Sequence, residues 1–433
     1  MHRAVSWRLL LAALTAVLGA ATIGGLRPDD PARDATLAAE PRWWRGNLHT
    51  HSFWSDGDDF PEMIVAWYKD HGYHFLGLSD HNVLSDGEKW IDAGPQAKAA
   101  VATALPKYRK RFGPWVEETA GQDGARVRLK PLGEFRSLFE EPGKFMLVQS
   151  EEITDKFEKL PVHLNATNLR DLIKPQGGGN VVEVMQNNVN AVIAERQRTG
   201  RPILVHLNHP NYGWAVTAEE LAQVKGERFF EVFNGHPGVR NYGDETHAST
   251  ERMWDMVLAA RLTQADGEVL YGLATDDSHN YHEFGLKKVN PGRGWVMVRA
   301  RHLTPESIIT AMERGEFYAS TGVRLSDVDI EGGRLCLAID GEAGVTYRTE
   351  FIGTVVVNEA DKRSDGPARP SVKPEDIGRV LAVSNDLTPE YNLTGRELYV
   401  RARVTSSKPH PNPYAEGDRE MAWTQPIRPE PPK

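Results

Sequence analysis

Five short motifs in this 433-residue chain gather side chains that bind metals or carry protons. They are His49-Thr50-His51, Ser79-Asp80-His81, Glu151-Glu152, His206-Leu207-Asn208-His209 and Asp276-Asp277-Ser278-His279. Each closes an apolar run of strand length. Residues i and i+2 of a strand share a face. His49 with His51, and Asp277 with His279, are therefore expected to reach a common ion. Imidazole and carboxylate donors suit Zn, Mn or Fe, and carboxylates can bridge two ions. A single ion takes three or four ligands. The motifs offer seven or more, which predicts a site holding two or three divalent ions. Glu151 and Glu152 face opposite ways on a strand, so only one can be the bridge. His206 and His209 compete in the same way. Asp80 and Asp276 read as carboxylates behind the ligands that could orient an imidazole.

The elements that must carry these motifs are visible from about residue 43. Apolar runs at 45–51, 74–80, 144–152, 201–209, 228–234, 269–277, 294–299 and 317–321 alternate with helical patterns. Asp59, Pro61 and Glu62 form a helix start, Ile64, Trp67 and Tyr68 its apolar face, and Gly72 its stop. Thr304-Pro305-Glu306 repeats the signal before Ile308, Ile309 and Met312, and Gly315 ends that helix. Further helices are expected at 184–198 and 250–262. Strands alternating with helices predict a parallel α/β barrel or a doubly wound sheet. In a parallel barrel the active site stands at the carboxyl ends of the strands, which is where the motifs fall. After Gly322 the runs at 325–338, 345–358, 380–385 and 397–404 lack intervening helices and predict a small all-β, sandwich-like domain.

With these residues in view, the chain resembles a known family. GNLHTHSFWSDGD, LGLSDHN, SEEIT, the downstream His163, LNHP and DDSHN are similar, in order, to motifs of the polymerase and histidinol phosphatase (PHP) superfamily of metal-dependent hydrolases. LTPESIITAMERGEFYASTG and the later AWTQP resemble its exported members. The resemblance implies an α/β fold, a distorted (β/α)7 TIM-like barrel over 43–322, with the β domain at 323–425. It implies one ion on His49, His51, Glu152 and Asp277. A second would share Glu152 and take His163 and His209, and a third would take Asp56, His81 and His279. An acid before Ile-Thr favours Glu152 over Glu151, which leaves Glu151 behind the ligands, and the His-Pro pairing favours His209 over His206.

Composition bounds the rest. Lys and Arg total 51 against 60 Asp and Glu, a formal charge of −9, which argues against a dedicated nucleic-acid binder. Cys336 is the single cysteine, so intrachain disulfides and Cys-ligated zinc are excluded. Arg3 and Arg8 precede an uncharged run from Leu9 to Leu26. Residues 1–26 thus read as a signal peptide or N-terminal membrane anchor, with export to the periplasm or the extracellular space. Residues 27–42 read as a linker and 426–433 as a disordered tail. Arg240, Trp214, Tyr212 and His236 flank the motifs and are expected to touch substrate. No G-x-S-x-G nucleophile motif is present. The expected chemistry is hydrolysis of a small-molecule phosphomonoester or phosphodiester by a metal-bound hydroxide held by Glu152, Asp277 and His209. A carbamate, carboxyl-ester or amide hydrolase on the same metals is the nearest rival, and a noncatalytic exported metal-binding protein the next.

Overall fold

Four short strands of this protein are buried on both faces. Phe75–Leu78, Leu204–Leu207 and Tyr271–Thr275 are buried at every residue, as is Phe229–Asn234. Such runs suit parallel strands covered on both sides. The computed structural model describes residues 40–121, 124–357 and 370–429. The expected leader at 1–26, most of the linker and the last four residues of the tail lie outside the described residues. Among the described residues no helix is long and apolar enough to cross a membrane.

One sheet of thirteen strands organises the chain. In sequence order these are β1 (Arg42–Asn47), β2 (Phe75–Leu78), β3 (Met146–Phe157), β4 (Leu160–Thr167), β5 (Leu204–Leu207), β6 (Phe229–Asn234) and β7 (Tyr271–Thr275). There follow β8 (Trp295–Ala300), β9 (Phe317–Ser320), β10 (Tyr347–Val355), β11 (Arg379–Ser384), β12 (Glu397–Pro409) and β13 (Arg419–Thr424). Their spatial order is β7-β6-β5-β4-β3-β2-β1-β8-β9-β13-β12-β10-β11. The arc from β7 to β1 carries the motifs and is mostly parallel: β1–β2, β2–β3, β5–β6 and β6–β7 run parallel. β4 is the exception, antiparallel to both β3 and β5.

The expected closed barrel is not formed; the sheet is open. Its arc curls until the segments beyond β1 and β7 meet in one isolated parallel bridge, Thr50 to Ser278. Elsewhere β1 pairs with antiparallel β8 instead, from Arg42–Ala300 to Gly46–Val296. The free edge of β7 is covered by a side chain: the Gln425 amide accepts from Gly272 N at 2.9 Å and donates to Gly272 O at 2.8 Å.

The described residues hold seven α-helices: α1 (Pro61–Asp70), α2 (Ala99–Phe112), α3 (Leu132–Phe139), α4 (Val181–Thr199), α5 (Ala218–Gln223), α6 (Thr250–Leu262) and α7 (Pro305–Glu313). The 250–262 helix agrees with its pattern, and α7 is capped as its sequence indicates, with Thr304 accepting from Ser307 N. At α1 the cap position is Phe60, not Asp59, and no side chain caps it. Ile308, Ile309 and Met312 of α7 share a core with Leu48, Phe75, Leu204 and Phe229. Met185, Val189 and Val192 of α4 and Trp254, Val257 and Leu258 of α6 form a second core with Leu164, Leu207 and Phe230. A small antiparallel sheet (Lys89–Asp92, Gly124–Leu129, Glu118–Gly121) with α2 is inserted between β2 and β3. Its Val127 and Leu129 pack with Phe53, Trp54 and Phe60, on the loop that carries Asp56.

The large sheet runs across the expected boundary at 322/323. β9 pairs with β13, Tyr318 opposite Thr424, and the residues from Pro41 onward form one compact unit. Leu335, Leu337 and Ile339 of a second three-stranded sheet pack against Phe351, Val400 and Val404 of the large one. The buried Arg401 of β12 reaches α6, pairing with Asp255 at 2.8 Å and Glu251 at 3.0 Å. The expected tail begins paired: Ile427 bridges Val400.

Candidate metal centre

The ligand-type residues arrive on the chain just beyond strand ends. β1 ends at Asn47 and β7 at Thr275, so His49, His51, Asp277 and His279 lie past the regular ladders. The two pairs thus come together beyond the strands and not by alternation along them. His51 N donates to Ser278 O at 2.9 Å, which brings the two segments side by side. Asp277 sits in the left-handed region at φ 50°, a conformation that Asp tolerates better than most residues. Glu152 is different. It lies within β3, which continues past its neighbours to Phe157 and returns as β4, bringing His163 opposite Thr154.

Two imidazoles meet two carboxylates. His49 Nε2 and His51 Nε2 stand 3.2 and 3.1 Å from Asp277 Oδ1, and 3.5 and 3.4 Å from Glu152 Oε2. Ligands about 2.1 Å from a tetrahedral ion are about 3.4 Å from one another. His49 Nε2, His51 Nε2 and Glu152 Oε2 are buried and lack any hydrogen-bond partner. Orphaned buried groups of this kind are costly, and one cation would satisfy all three. The residues present thus fit a divalent ion.

The other ligand-type residues crowd around Glu152. Its Oε1 lies 2.9 Å from His163 Nδ1 and 3.4 Å from His209 Nε2, and its Oε2 lies 2.8 Å from His81 Nδ1. Asp56 approaches His279 Nε2 at 3.3 Å, His81 Nε2 at 3.5 Å and His51 Nδ1 at 3.7 Å. All nine sequence-predicted ligands therefore lie in one cluster, within which several groups have metal-ligand spacing. Asp56 is the outermost member, with half of its side chain exposed. The structure adds His51 to the Asp56 group, puts His81 in place of His209 beside Glu152 and His163, groups His209 with His49 and Asp277, and groups His206 with His49 and Glu231.

The electrostatics are those of a cation site. Burial would push the carboxyls of Glu152 and Asp277 up, but the surrounding imidazoles, His49 foremost, hold both well below their ordinary values. Burial would lower His49, but Asp277, Glu231 and Glu152 hold it well above its ordinary value. His51 is brought down to about 3, by burial and then by its stacked neighbour His279.

The expected backing carboxylates do other work. Asp80 accepts from Ser52 N (2.7 Å), Ser52 Oγ (2.7 Å) and Ser55 Oγ (2.6 Å). It fixes the loop after His51 and bonds no imidazole. Asp276 accepts from Gly292, Arg293 and Gly294 N and from the Tyr68 hydroxyl, and so anchors the return to β8. Glu151 points to the opposite face from Glu152. It accepts from Ile173 N, and burial raises its carboxyl to about 8.

Of the expected substrate contacts, Tyr212 and His236 border the cluster. Tyr212 packs edge-on to His209 at 5.2 Å, and His236 edge-on to His279 at 5.8 Å. Trp214 lies flat on His247 at 4.0 Å, and the exposed Arg240 sits over its indole at 5.0 Å.

Three orienting residues escaped the sequence reading. Asn208 donates to Glu152 Oε1 at 2.8 Å. Asn234 donates to Asp277 Oδ2 at 3.1 Å. Glu231 accepts from His49 Nδ1 at 2.7 Å and also lies beside His206, 3.5 Å from its Nε2. Glu231 left a signal: it is the one charge in the apolar run Phe229-Phe230-Glu231-Val232-Phe233, and a Glu inside such a run is rarely buried without a partner.

No protein-family model and no curated protein matches the chain. Solved structures do. A two-domain protein from Bacteroides vulgatus containing a predicted PHP-like metal-dependent phosphoesterase is similar at 14% identity. The match covers 89% of this chain and 96% of that one, with a TM-score of 0.38. A Bifidobacterium adolescentis protein, to which metal-dependent phosphoesterase activity is ascribed, matches at 13% identity over 58% of this chain and 91% of its own, TM-score 0.28. PsfC from Pseudomonas syringae matches at 11% identity over 63% of this chain and 88% of its own, TM-score 0.31. Likenesses of this strength bear no weight on function, which rests on the cluster itself.

Proposed function

We propose that this protein is a metal-dependent phosphoesterase acting on a small phosphomonoester or phosphodiester. The observation that carries the reading is the convergence of His49 Nε2, His51 Nε2 and Glu152 Oε2, all three buried and orphaned, at metal-ligand spacing, with Asp277 Oδ1 within 3.2 Å of both imidazoles. His49, His51, Glu152 and Asp277 would hold one ion, Glu152, His163 and His209 a second, and Asp56, His81 and His279 a third. Divalent ions bound there supply Lewis acidity, a water activated near neutral pH and countercharge for phosphoryl oxygens. The chain's own part is positional. Glu152 spans the ligand groups, and Asn208 holds its carboxylate in register. Asp56, half exposed, faces the solvent from which a substrate arrives. Tyr212 and His236 stand where they would flank that substrate.

The test is metal content and turnover measured on one preparation. Two or three ions per chain with release of phosphate from an aryl phosphate is the expected result. Ions with cleavage only of an aryl ester or carbamate would transfer the assignment to the rival chemistry. Full metal loading without any turnover would leave a binding protein.

A further inference from the structure

We propose that Glu231 is a positioning residue that presents His49 and His209 to the metals and leaves the outer Asp56 group untouched. This rests on the metal-binding reading above. Glu231 is wholly buried, in the middle of β6, and collects four donors from four segments of the site. His49 Nδ1 (2.7 Å) and Thr275 Oγ1 (2.7 Å) donate to its Oε1. His209 N (2.8 Å) and Asn234 Nδ2 (2.7 Å) donate to its Oε2.

Each contact has a consequence for a ligand. A carboxylate behind Nδ1 makes that nitrogen the donor and leaves the Nε2 lone pair facing Asp277 and Glu152; it also makes the imidazole a stronger base. The bond to His209 N holds the backbone where φ is +20°, a conformation the residue would otherwise leave. Asn234 passes the constraint on, since its other contact is Asp277 Oδ2. By contrast, none of Asp56, His81 and His279 hydrogen-bonds Glu231 directly.

Both the charge and the reach of the side chain are needed. Glu231→Gln keeps the volume, but an amide accepts only at its oxygen. Either orientation turns an NH2 toward two donors, His49 and Thr275 or His209 and Asn234. Both orientations disturb one inner ligand.

The experiment titrates Zn or Mn into the chelator-stripped full chain and its variants by calorimetry. Asp56→Asn identifies the binding step of the outer group. In Glu231→Gln the inner steps are expected to weaken about 10- to 100-fold, with the outer step within about twofold of the parent. Equal weakening of every step, or none, overturns the proposal, since a residue that merely stabilises the fold would act on all steps alike. If Glu231→Gln does not fold, Glu231→Asp keeps the charge, withdraws it from His49 and must show the same selective loss. Failure of the parent chain itself to take up ions overturns the metal reading, and the parent titration separates that outcome from the others.

Discussion

Replacing Glu152 by Gln, beside the same change at its neighbour Glu151, isolates the shared ligand from everything else in β3. Glu152 lies within 3.5 Å of five imidazole nitrogens, those of His49, His51, His81, His163 and His209. It is therefore common to two of the ion positions. An ion present at about 1,000 times its dissociation constant stabilises the folded state by about 4.1 kcal/mol. A hundredfold loss of affinity leaves about 1.4 kcal/mol of that, so two weakened sites cost roughly 5 kcal/mol of metal-dependent stability. At an unfolding entropy of about 2.1 cal/mol/K per residue, the roughly 390 residues from Pro41 lose about 1.2 °C per kcal/mol. From the two ions that share Glu152 the parent chain should gain about 10 °C in excess Zn or Mn after chelation, and Glu152→Gln only about 3–4 °C, with any gain from a third ion common to both. Glu151→Gln, on the opposite face, should keep the full gain. Scanning fluorimetry with and without metal reads all three. A parent chain whose melting is indifferent to metal would refute the site. Equal gains in Glu151→Gln and Glu152→Gln would refute the assignment of the bridge.

Other consequences are testable in the same chain. Arg401→Ala leaves Asp255 buried without its partner and should cost about 3–5 kcal/mol in urea unfolding; a cost below about 1 kcal/mol would show that the contact between α6 and β12 is dispensable. Glu227 is buried away from the cluster, and burial raises its carboxyl to about 8, only partly offset by the bond from Phe229 N and by Arg261. Its folded value is above its unfolded one, so the folded state binds more protons between about pH 4.3 and 8, and stability falls as pH rises through that window. Glu227→Gln should flatten that slope in denaturant titrations at several pH values, and an unchanged slope would count against the shift. A Cβ at Gly46 would lie 2.1 Å from the Phe75 ring, so Gly46→Ala should disrupt β1–β2 packing and lower both melting temperature and metal uptake. A fully stable, metal-loaded Gly46→Ala would contradict that packing.

Much of the site was legible because its chemistry is local. His-X-His, Asp-His, Glu-Glu and Asp-X-His at the ends of apolar runs declare metal ligands by type and spacing alone, whatever fold carries them. The runs themselves announce buried strands, since a strand covered on both faces needs apolar side chains on both. Helices α1, α4, α6 and α7 were readable for the related reason that an amphipathic face repeats every three to four residues. The choice between adjacent glutamates was not local. The family resemblance favoured Glu152, and the structure shows Glu152 within 3.5 Å of five imidazoles drawn from four segments while Glu151 accepts from Ile173 N.

What only the tertiary structure decided are relations between distant segments. Asp80 and Asp276 look like partners for imidazoles in sequence, yet each is taken by nearer donors: serines in one case, the backbone at 292–294 in the other. The open arc in place of a closed barrel follows from β8 pairing with β1, and the continuity of the sheet into the C-terminal strands from β13 pairing with β9. Neither has a signature within one segment. Glu231 shows the division most clearly. Its burial was foreshadowed by its apolar neighbours, but its four donors come from 22 residues before it to 44 after it, and at His49 from 182 before it. Ligand type is a property of single residues and short spacings, which a sequence states directly. Ligand orientation depends on hydrogen bonds across the core, which exist only after the chain has brought those segments together.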